Sequence, residues 1–172
     1  AAGAPWRGRS ALDGVEAFHY MINLMREHVT PAARIHYVVT SGGSAPNVVP
    51  SFAESYIYVR HPDPEESRRM FDWVTQIAEA AAMGTETRME HEVIHGIYNV
   101  LPNEALARAM FDNLNEVGGV EYNAEEREFA EAIHRTFFGA APPLERAQMI
   151  EPFEVIEVGE GGSTDVGDVS WV

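Results

Sequence analysis

Apolar residues in the first third of the chain recur at the three-to-four-residue spacing of an amphipathic helix. The repeating positions between Ser10 and about His28 are Val15, Phe18, Ile22 and Met25. Ser10 is a good N-cap residue, and Thr30-Pro31 disfavours helix beyond that point. The pattern therefore predicts a helix that begins at Ser10.

Three later segments of the first half are typical of strands, and one helix separates them. Residues 34–40 (RIHYVVT) and 54–60 (ESYIYVR) are rich in β-branched and aromatic residues. Asp63-Pro64 then starts a helix that ends at Gly84. Residues 85–94 alternate in the manner of a third strand.

The order of these elements predicts an α/β fold of the α+β kind. With one more strand before Ser10, the order is β-α-β-β-α-β, the ferredoxin-like sandwich with two helices on one face of the sheet. Residues 102–117 and 124–138 predict two further helices, and residues 153–158 (FEVIEV) predict a strand. This second part has too few strands for a sheet of its own, which indicates an incomplete portion of an α/β domain.

Composition excludes several classes of site. All 12 basic residues are arginines, so the chain holds no lysine for a P-loop or a Schiff base. Cysteine is absent, which excludes disulfides, thiolate metal sites and cysteine nucleophiles. The net charge of −15 argues against nucleic-acid and anionic-membrane partners. The sequence has no apolar run of membrane-spanning length and no signal-like N-terminus, so we expect a cytoplasmic protein.

The segment His91-Glu92-Val93-Ile94-His95 fits the H-E-x-x-H motif of zinc proteases. That motif requires a helix, which places both histidines on one face beside the metal. In a strand the two histidines share a face but lie about 13 Å apart. The alternation of this segment and the following Gly96 favour the strand, so the zinc-protease hypothesis stands as an alternative only.

Two loops carry candidate ligand-binding residues. The first is GGSAPNVVP at 42–50, followed by the strand that ends at Arg60. If Asn47 and Arg60 meet at one end of the sheet, they can grip a carboxylate or an oxyanion; otherwise they are a turn residue and a surface charge. The second loop, GGSTDVGD at 161–168, offers backbone N–H groups and hydroxyls to an anion, or is a flexible loop. Its two aspartates offer too few ligands for calcium.

Four motifs in this order resemble the M20 group of metal-dependent amidohydrolases and peptidases. They are AAGAPWRGRSALDGVE, the G-G-x-A-x-N-V-V-P loop before an arginine-terminated strand, YNVLPNEALA, and GGSTDVGDVSW. The sequence of the last motif, together with IHYVVTSGGSAPNVVP, is most similar to the aminobenzoyl-glutamate hydrolase branch of this group. The resemblance covers nearly the whole chain.

The resemblance implies a division at about residue 99. Residues 1–99 correspond to the lid, which forms a homodimer, and residues 100–172 to the C-terminal portion of the catalytic domain. It also implies that Asn47 reaches the partner subunit's active site and that Arg60 binds a substrate carboxylate. The residues of the late loop that face this carboxylate are Gly162, Ser163 and Thr164, and Asp165 has an orienting role.

The implied activity is cleavage of an amide next to a carboxylate, as in an N-acyl amino acid or aminobenzoyl-glutamate. The zinc or manganese ligands of the family have no counterpart in this sequence, so the resemblance implies a piece of an enzyme that binds no metal and is inactive alone. A stand-alone module for dimerisation or for binding small carboxylates is the alternative from a different class.

Overall fold

A computed structural model of the 172-residue chain describes residues 3–155 and 164–172. These residues divide into two compact units. The first contains residues 3–100 together with Thr164–Val172, and the second contains residues 101–155.

Two long helices of the first unit begin at the predicted caps. Helix α1 spans Ala11–Met25, and the Ser10 hydroxyl accepts a hydrogen bond from the backbone N–H of Asp13. A 3-10 turn, Arg26–His28, follows it. Helix α2 spans Pro64–Gly84, and the Asp63 carboxylate accepts hydrogen bonds from the first turn. Both helix predictions are confirmed.

The sheet of this unit is an antiparallel hairpin. Strand β1 spans Arg34–Ser41, one residue beyond the predicted end, and strand β2 spans Glu54–Arg60, as predicted. The register pairs Arg34 with Arg60 and Tyr37 with Ile57, and a bulge falls between Val39 and Ser41. Because side chains alternate along a strand, each strand has one face toward the helices and one face away from them.

The core lies between the two helices and one face of the hairpin. Its buried members are Ile22, Met25, Ile35, Met70, Val74 and Ile77. Tyr37, Ile57 and Val59 pack against this cluster from the sheet. The opposite face of the hairpin carries Tyr56 and Tyr58, whose ring centroids lie 5.1 Å apart.

The predicted third strand at residues 85–94 is wrong. Thr85 and Glu86 form a turn after α2, Glu86 has a φ of 51°, and residues 87–103 have no regular structure. The predicted strand before Ser10 is also not formed among the described residues, where Pro5–Arg7 is a 3-10 helix. Alternation alone cannot make a strand without a hydrogen-bonding neighbour. The fold is therefore α+β with a two-stranded sheet, and the ferredoxin-like arrangement is not confirmed.

The second unit is helical. Helix α3 spans Glu104–Val117 and ends at Gly118, which has a φ of 82°. Helix α4 spans Ala124–His134, four residues short of the predicted end, and a capping box of Asn123 and Glu126 starts it. Residues 153–155 are not in a strand; the rest of the strand predicted at 153–158 lies outside the described residues. A last helix, α5, spans Val166–Ser170 and belongs to the first unit. No described helix is long and apolar enough to cross a membrane.

Candidate functional site

The loop between β1 and β2 is fastened to the start of α1. The backbone N–H of Ala11 donates to the Pro50 carbonyl over 2.9 Å, and that of Val48 donates to the Ala45 carbonyl over 3.1 Å. Gly43 has a φ of 105°, and a Cβ there would lie 2.8 Å from Pro50 Cγ. Gly43 and Pro50, two of the residues that predicted a loop, thus also constrain its backbone conformation.

Asn47 lies on a shallow depression between this loop and the start of α1. Residues 42–50 line it from one side, and Pro5, Ser10, Leu12 and Asp13 from the other. The Asn47 side chain is exposed, and its amide makes no hydrogen bond within the described part of the chain. The alternative in which Asn47 bonds to its own turn is therefore wrong, and the amide is available to a ligand.

Arg60 ends β2 and lies beside another arginine. Its guanidinium carbon is 4.9 Å from the centre of the Tyr58 ring, a cation–π contact. Arg34 is its direct partner across the hairpin. Among residues 3–155 and 164–172, no carboxylate lies within 4.0 Å of either guanidinium.

The prediction that Asn47 and Arg60 share one end of the sheet is wrong. Ser41 pairs with Glu54 at the loop end, whereas Arg34 pairs with Arg60 at the other end. Six residue steps along β2 separate these ends by about 20 Å. In any antiparallel hairpin, the connecting loop and the last residue of the second strand lie at opposite ends. One chain therefore does not bring the amide and this guanidinium to the same small ligand.

The late loop is described only from Thr164 onward; Gly162 and Ser163 lie outside the described residues. The Thr164 hydroxyl accepts a hydrogen bond from the Val166 N–H, and Asp165 directly precedes α5. The structure thus places Thr164 and Asp165 at a helix start, where their side chains have no described contact with Asn47 or Arg60.

Asp168 connects α5 to residues 98–99, a contact that the sequence did not predict. Its carboxylate accepts a hydrogen bond from the Tyr98 N–H over 2.7 Å, and Trp171 Nε1 donates to the Asn99 carbonyl over 2.8 Å. Gly167 is buried, and any Cβ there would overlap the Tyr98 carbonyl oxygen. These contacts join segments about 70 residues apart in the chain, which spacing along the sequence does not reveal.

The H-E-x-x-H segment has neither of the two conformations considered. Residues 91–95 are outside both helices and strands. The His91 ring lies 6.1 Å from that of Phe71 on α2. Without the helix, the arrangement that a zinc protease requires is not formed. Within the described ranges, no group of three histidine, aspartate or glutamate side chains could hold a metal ion.

His19 and Ser55 form a close pair that the sequence did not predict. His19 Nε2 lies 2.7 Å from Ser55 Oγ, and its ring stacks on Tyr37 with a centroid distance of 3.8 Å. Burial lowers the pKa of His19 below its ordinary value, and the nearby Arg26 charge lowers it further, against an opposing effect of Glu16. These contacts join α1 to both strands, so the pair stabilises the neutral imidazole within the fold.

Comparison with known proteins connects this geometry to a family. The family described as "Peptidase dimerisation domain" matches residues 1–86, half of the chain. The chain belongs to the M20 peptidase family. The match covers α1, both strands and α2, so the hairpin loop with Asn47 and the arginine pair are parts of an M20 dimerisation domain.

Three M20 relatives match almost the entire chain. One subunit of the p-aminobenzoyl-glutamate hydrolase of Escherichia coli is 35% identical, over 99% of this chain and 40% of that protein. The human Xaa-Arg dipeptidase is 30% identical over 99% of this chain, and the mouse Xaa-Arg dipeptidase is 28% identical over 100% of it. The chain spans 33% of the length of each dipeptidase. The resemblance of this sequence to the M20 group is thereby confirmed.

Proposed function

We propose that this chain forms the dimerising lid and part of the catalytic domain of an M20 amidohydrolase that cleaves an amide next to a carboxylate. The observation that carries the proposal is the exposed Asn47 amide, which has no hydrogen-bond partner among the described residues and sits on a loop anchored to α1. A pre-placed amide donor can stabilise the oxyanion that develops at a scissile carbonyl. The family assignment supports the hydrolytic chemistry.

The separation of Asn47 and Arg60 favours a site built from two chains. A substrate of dipeptide size spans about 7 Å when extended, much less than the about 20 Å between the two ends of the hairpin. In a homodimer, Asn47 of one chain can act at the active site of its partner. A substrate in that active site can then contact Asn47 of one chain and Arg60 of the other chain.

The proposal includes a division at residue 99, with the lid before it and the C-terminal catalytic portion after it. It also includes a ferredoxin-like lid, which the order of α1, β1, β2 and α2 supports. Gly162, Ser163, Thr164 and Asp165 are proposed to face the substrate carboxylate.

The zinc or manganese of the proposed enzyme does not fit the described residues of this chain. They provide no cluster of three suitable ligands. In this proposal the chain contributes substrate binding and dimerisation, and not metal coordination. We therefore expect the 172-residue chain to be inactive alone. Incubation with zinc or manganese and aminobenzoyl-glutamate, followed by chromatography, should yield no aminobenzoate; turnover would contradict this division of roles.

The role of Asn47 is tested in the complete enzyme. Asn47→Ala should lower kcat for an amide substrate about 100-fold, which is typical of losing one oxyanion donor. Asn113→Ala is a matched control, because Asn113 is an exposed amide on α3 with no described partner. Equal rates for the two variants would refute the proposed role of Asn47.

A further inference from the structure

Helix α5 lies directly against residues 98–99, although about 70 residues of chain separate the two segments. Gly167 is buried at the point of closest approach, where a Cβ would overlap the Tyr98 carbonyl oxygen and lie 2.9 Å from the carbon of that carbonyl. Only glycine, which has no Cβ, allows two backbones to come this close. A side chain at position 167 would therefore push the two segments apart.

Two side chains of α5 bond to the backbone of this segment. The Asp168 carboxylate accepts a hydrogen bond from the Tyr98 N–H over 2.7 Å, and Trp171 Nε1 donates to the Asn99 carbonyl over 2.8 Å. The two side chains are three residues apart, a spacing that places them on one face of a helix. Residues 87–103 have no regular structure, so these backbone groups lack the partners that a helix or strand would supply. The side chains of α5 take the place of those partners.

The Tyr98 side chain extends this contact to helix α2. Its hydroxyl accepts a hydrogen bond from Nη2 of Arg68, a residue of α2, over 2.7 Å. Its ring centroid lies 5.9 Å from that of Trp171. Tyr98 thus contacts α2 through its hydroxyl, and α5 through its ring and its backbone N–H. We call these four residues the junction cluster: Arg68, Tyr98, Asp168 and Trp171.

The junction cluster crosses the division that we propose at residue 99. In that proposal α2 belongs to the lid and α5 to the catalytic portion, yet both helices lie in one compact unit of the structure. Helix α5 also follows directly after Thr164 and Asp165, and the Thr164 hydroxyl accepts a hydrogen bond from the Val166 N–H over 3.2 Å. A shift of α5 relative to α2 would therefore also shift Thr164 and Asp165, two of the residues proposed to face the substrate.

We propose that the junction cluster holds α5 in a fixed position relative to the lid and thereby places Thr164 and Asp165 for the substrate. Its members are positioning residues, because the bonds they make are internal to the chain. This inference rests on the proposed function and adds to it a connection between α2 and α5. A binding group that is already in place costs less entropy when the substrate binds. Loss of the junction cluster should therefore weaken substrate binding more than it slows the chemical step.

Kinetics of the complete enzyme with aminobenzoyl-glutamate test the role of Asp168. Asp168→Ala should raise KM about tenfold, the usual effect of losing a hydrogen bond to a charged group, and should leave kcat nearly unchanged. Asp168→Asn retains an oxygen that can accept from the Tyr98 N–H, so it should keep KM close to the natural value. Asp112→Ala is the matched control, because it removes the same charge from an exposed position on α3. A natural KM in Asp168→Ala, or equal KM values in Asp168→Ala and Asp168→Asn, overturns the inference.

A double-mutant cycle tests the bond between Arg68 and Tyr98. Arg68→Ala and Tyr98→Phe each remove this hydrogen bond, and each should raise KM. Because both substitutions remove the same bond, the double variant should raise KM by less than the product of the two single effects. A double variant whose KM rises by that full product would show that the two residues act independently, and would refute the connection to α2.

Hydrogen exchange in the 172-residue chain tests the junction cluster without any enzymatic reaction. The Tyr98 amide should exchange about tenfold or more slowly in the natural chain than in Asp168→Ala, because a bonded N–H exchanges only when its contact opens. Gly167→Ala should also accelerate this exchange, whereas Gly96→Ala should not, since a Cβ at position 96 meets nothing within 4 Å. Circular dichroism verifies that each variant is folded. Equal Tyr98 exchange in the natural chain and in Asp168→Ala would refute the junction cluster.

These outcomes are distinguishable from a failure of the proposed function. An active amidohydrolase whose KM is unchanged in Asp168→Ala would support the proposed function and refute the positioning role. A complete enzyme that cleaves no amide, but in which Asp168→Ala accelerates Tyr98 exchange, would refute the amidohydrolase and support the junction cluster.

Discussion

Gly43 holds the hairpin loop in a conformation that other residues rarely adopt. Its φ is 105°, and a Cβ at this position would lie 2.8 Å from Pro50 Cγ, so both the backbone and the neighbouring ring oppose a side chain. Gly43→Ala should lower the free energy of unfolding by about 1–3 kcal/mol. Urea denaturation measures this change.

Gly84→Ala is the matched control for that substitution. Gly84 is the last residue of α2, and a Cβ there meets nothing within 4 Å. Alanine is favoured in a helix over glycine by roughly 0.5–1 kcal/mol, so this variant should be as stable as the natural chain or more so. A Gly43→Ala variant that matches Gly84→Ala in stability would show that the loop conformation is not restrictive.

His19 makes stability depend on pH near neutrality. Its pKa is lowered in the fold by burial and by Arg26, so folding favours the neutral ring that contacts Ser55 and Tyr37, while Glu16 acts in the opposite direction. The unfolded chain takes up the proton near pH 6.5. Below that pH the unfolded state binds more protons, so the free energy of unfolding should fall as pH decreases toward the lower pKa of the folded state.

Thermal denaturation between about pH 8 and pH 5 measures this dependence. His19→Gln should flatten the decrease in Tm below about pH 6.5, because the titrating group is gone. His95→Gln should leave the decrease unchanged, since His95 is exposed and has no described partner. Identical pH profiles for the natural chain and His19→Gln would contradict the expectation.

Helix α2 depends on its cap more than on its many surface charges. Asp63 Oδ1 accepts hydrogen bonds from the N–H groups of Glu65 and Glu66 over 2.7 and 3.3 Å. Asp63→Ala should therefore destabilise the chain by about 1 kcal/mol in urea denaturation. Asp72→Ala removes the same charge from an exposed position within α2 and should have little effect. A similar loss in both variants would mean that charge, and not capping, stabilises the helix.

Local chemistry made the hairpin and helices predictable. Ser10 and Asp63 are strong caps, and β2 has the predicted bounds Glu54–Arg60 because β-branched and aromatic residues are bounded by a polar loop and a proline. The prediction of a third strand at residues 85–94 was wrong because alternation shows which side chains share a face, but not which strand lies beside the segment. Among the described residues, neither β1 nor β2 pairs with it.

The sequence suggested residues for the candidate site but not their geometry. It singled out Asn47 and Arg60 as candidate ligand-binding residues, yet antiparallel pairing places them at opposite ends of the hairpin. Arg34 was passed over because a lone arginine at a strand start has no distinguishing pattern. Only the register shows that it faces Arg60. Pairing partners across a sheet are long-range information, which spacing along the chain does not contain.

At the scale of the molecule, the edge of β1 that faces away from β2 is a candidate surface for a second copy. Among the described residues, β2 is the only strand paired with β1. Helix α1 contacts β1, since Asn23 bonds to Tyr37 and Arg26 to the Ile35 carbonyl. On the same helix Tyr20 and Leu24, four residues apart, are 67% and 52% exposed. An unpaired edge can pair with the same edge of a second copy about a two-fold axis, and exposed apolar side chains can add to such an interface.

We therefore expect the chain to form a dimer through α1 and β1, as the family match to a dimerisation domain suggests. Leu24→Glu introduces a charge into the centre of that interface and should shift sedimentation toward the monomer, by about tenfold or more in Kd if about 1.4 kcal/mol is lost. Met83→Glu is the control, because Met83 is 78% exposed at the far end of α2. A dimer of unchanged stability in Leu24→Glu would place the interface elsewhere, and the two-chain site formed by Asn47 and Arg60 would then need a different arrangement of the subunits.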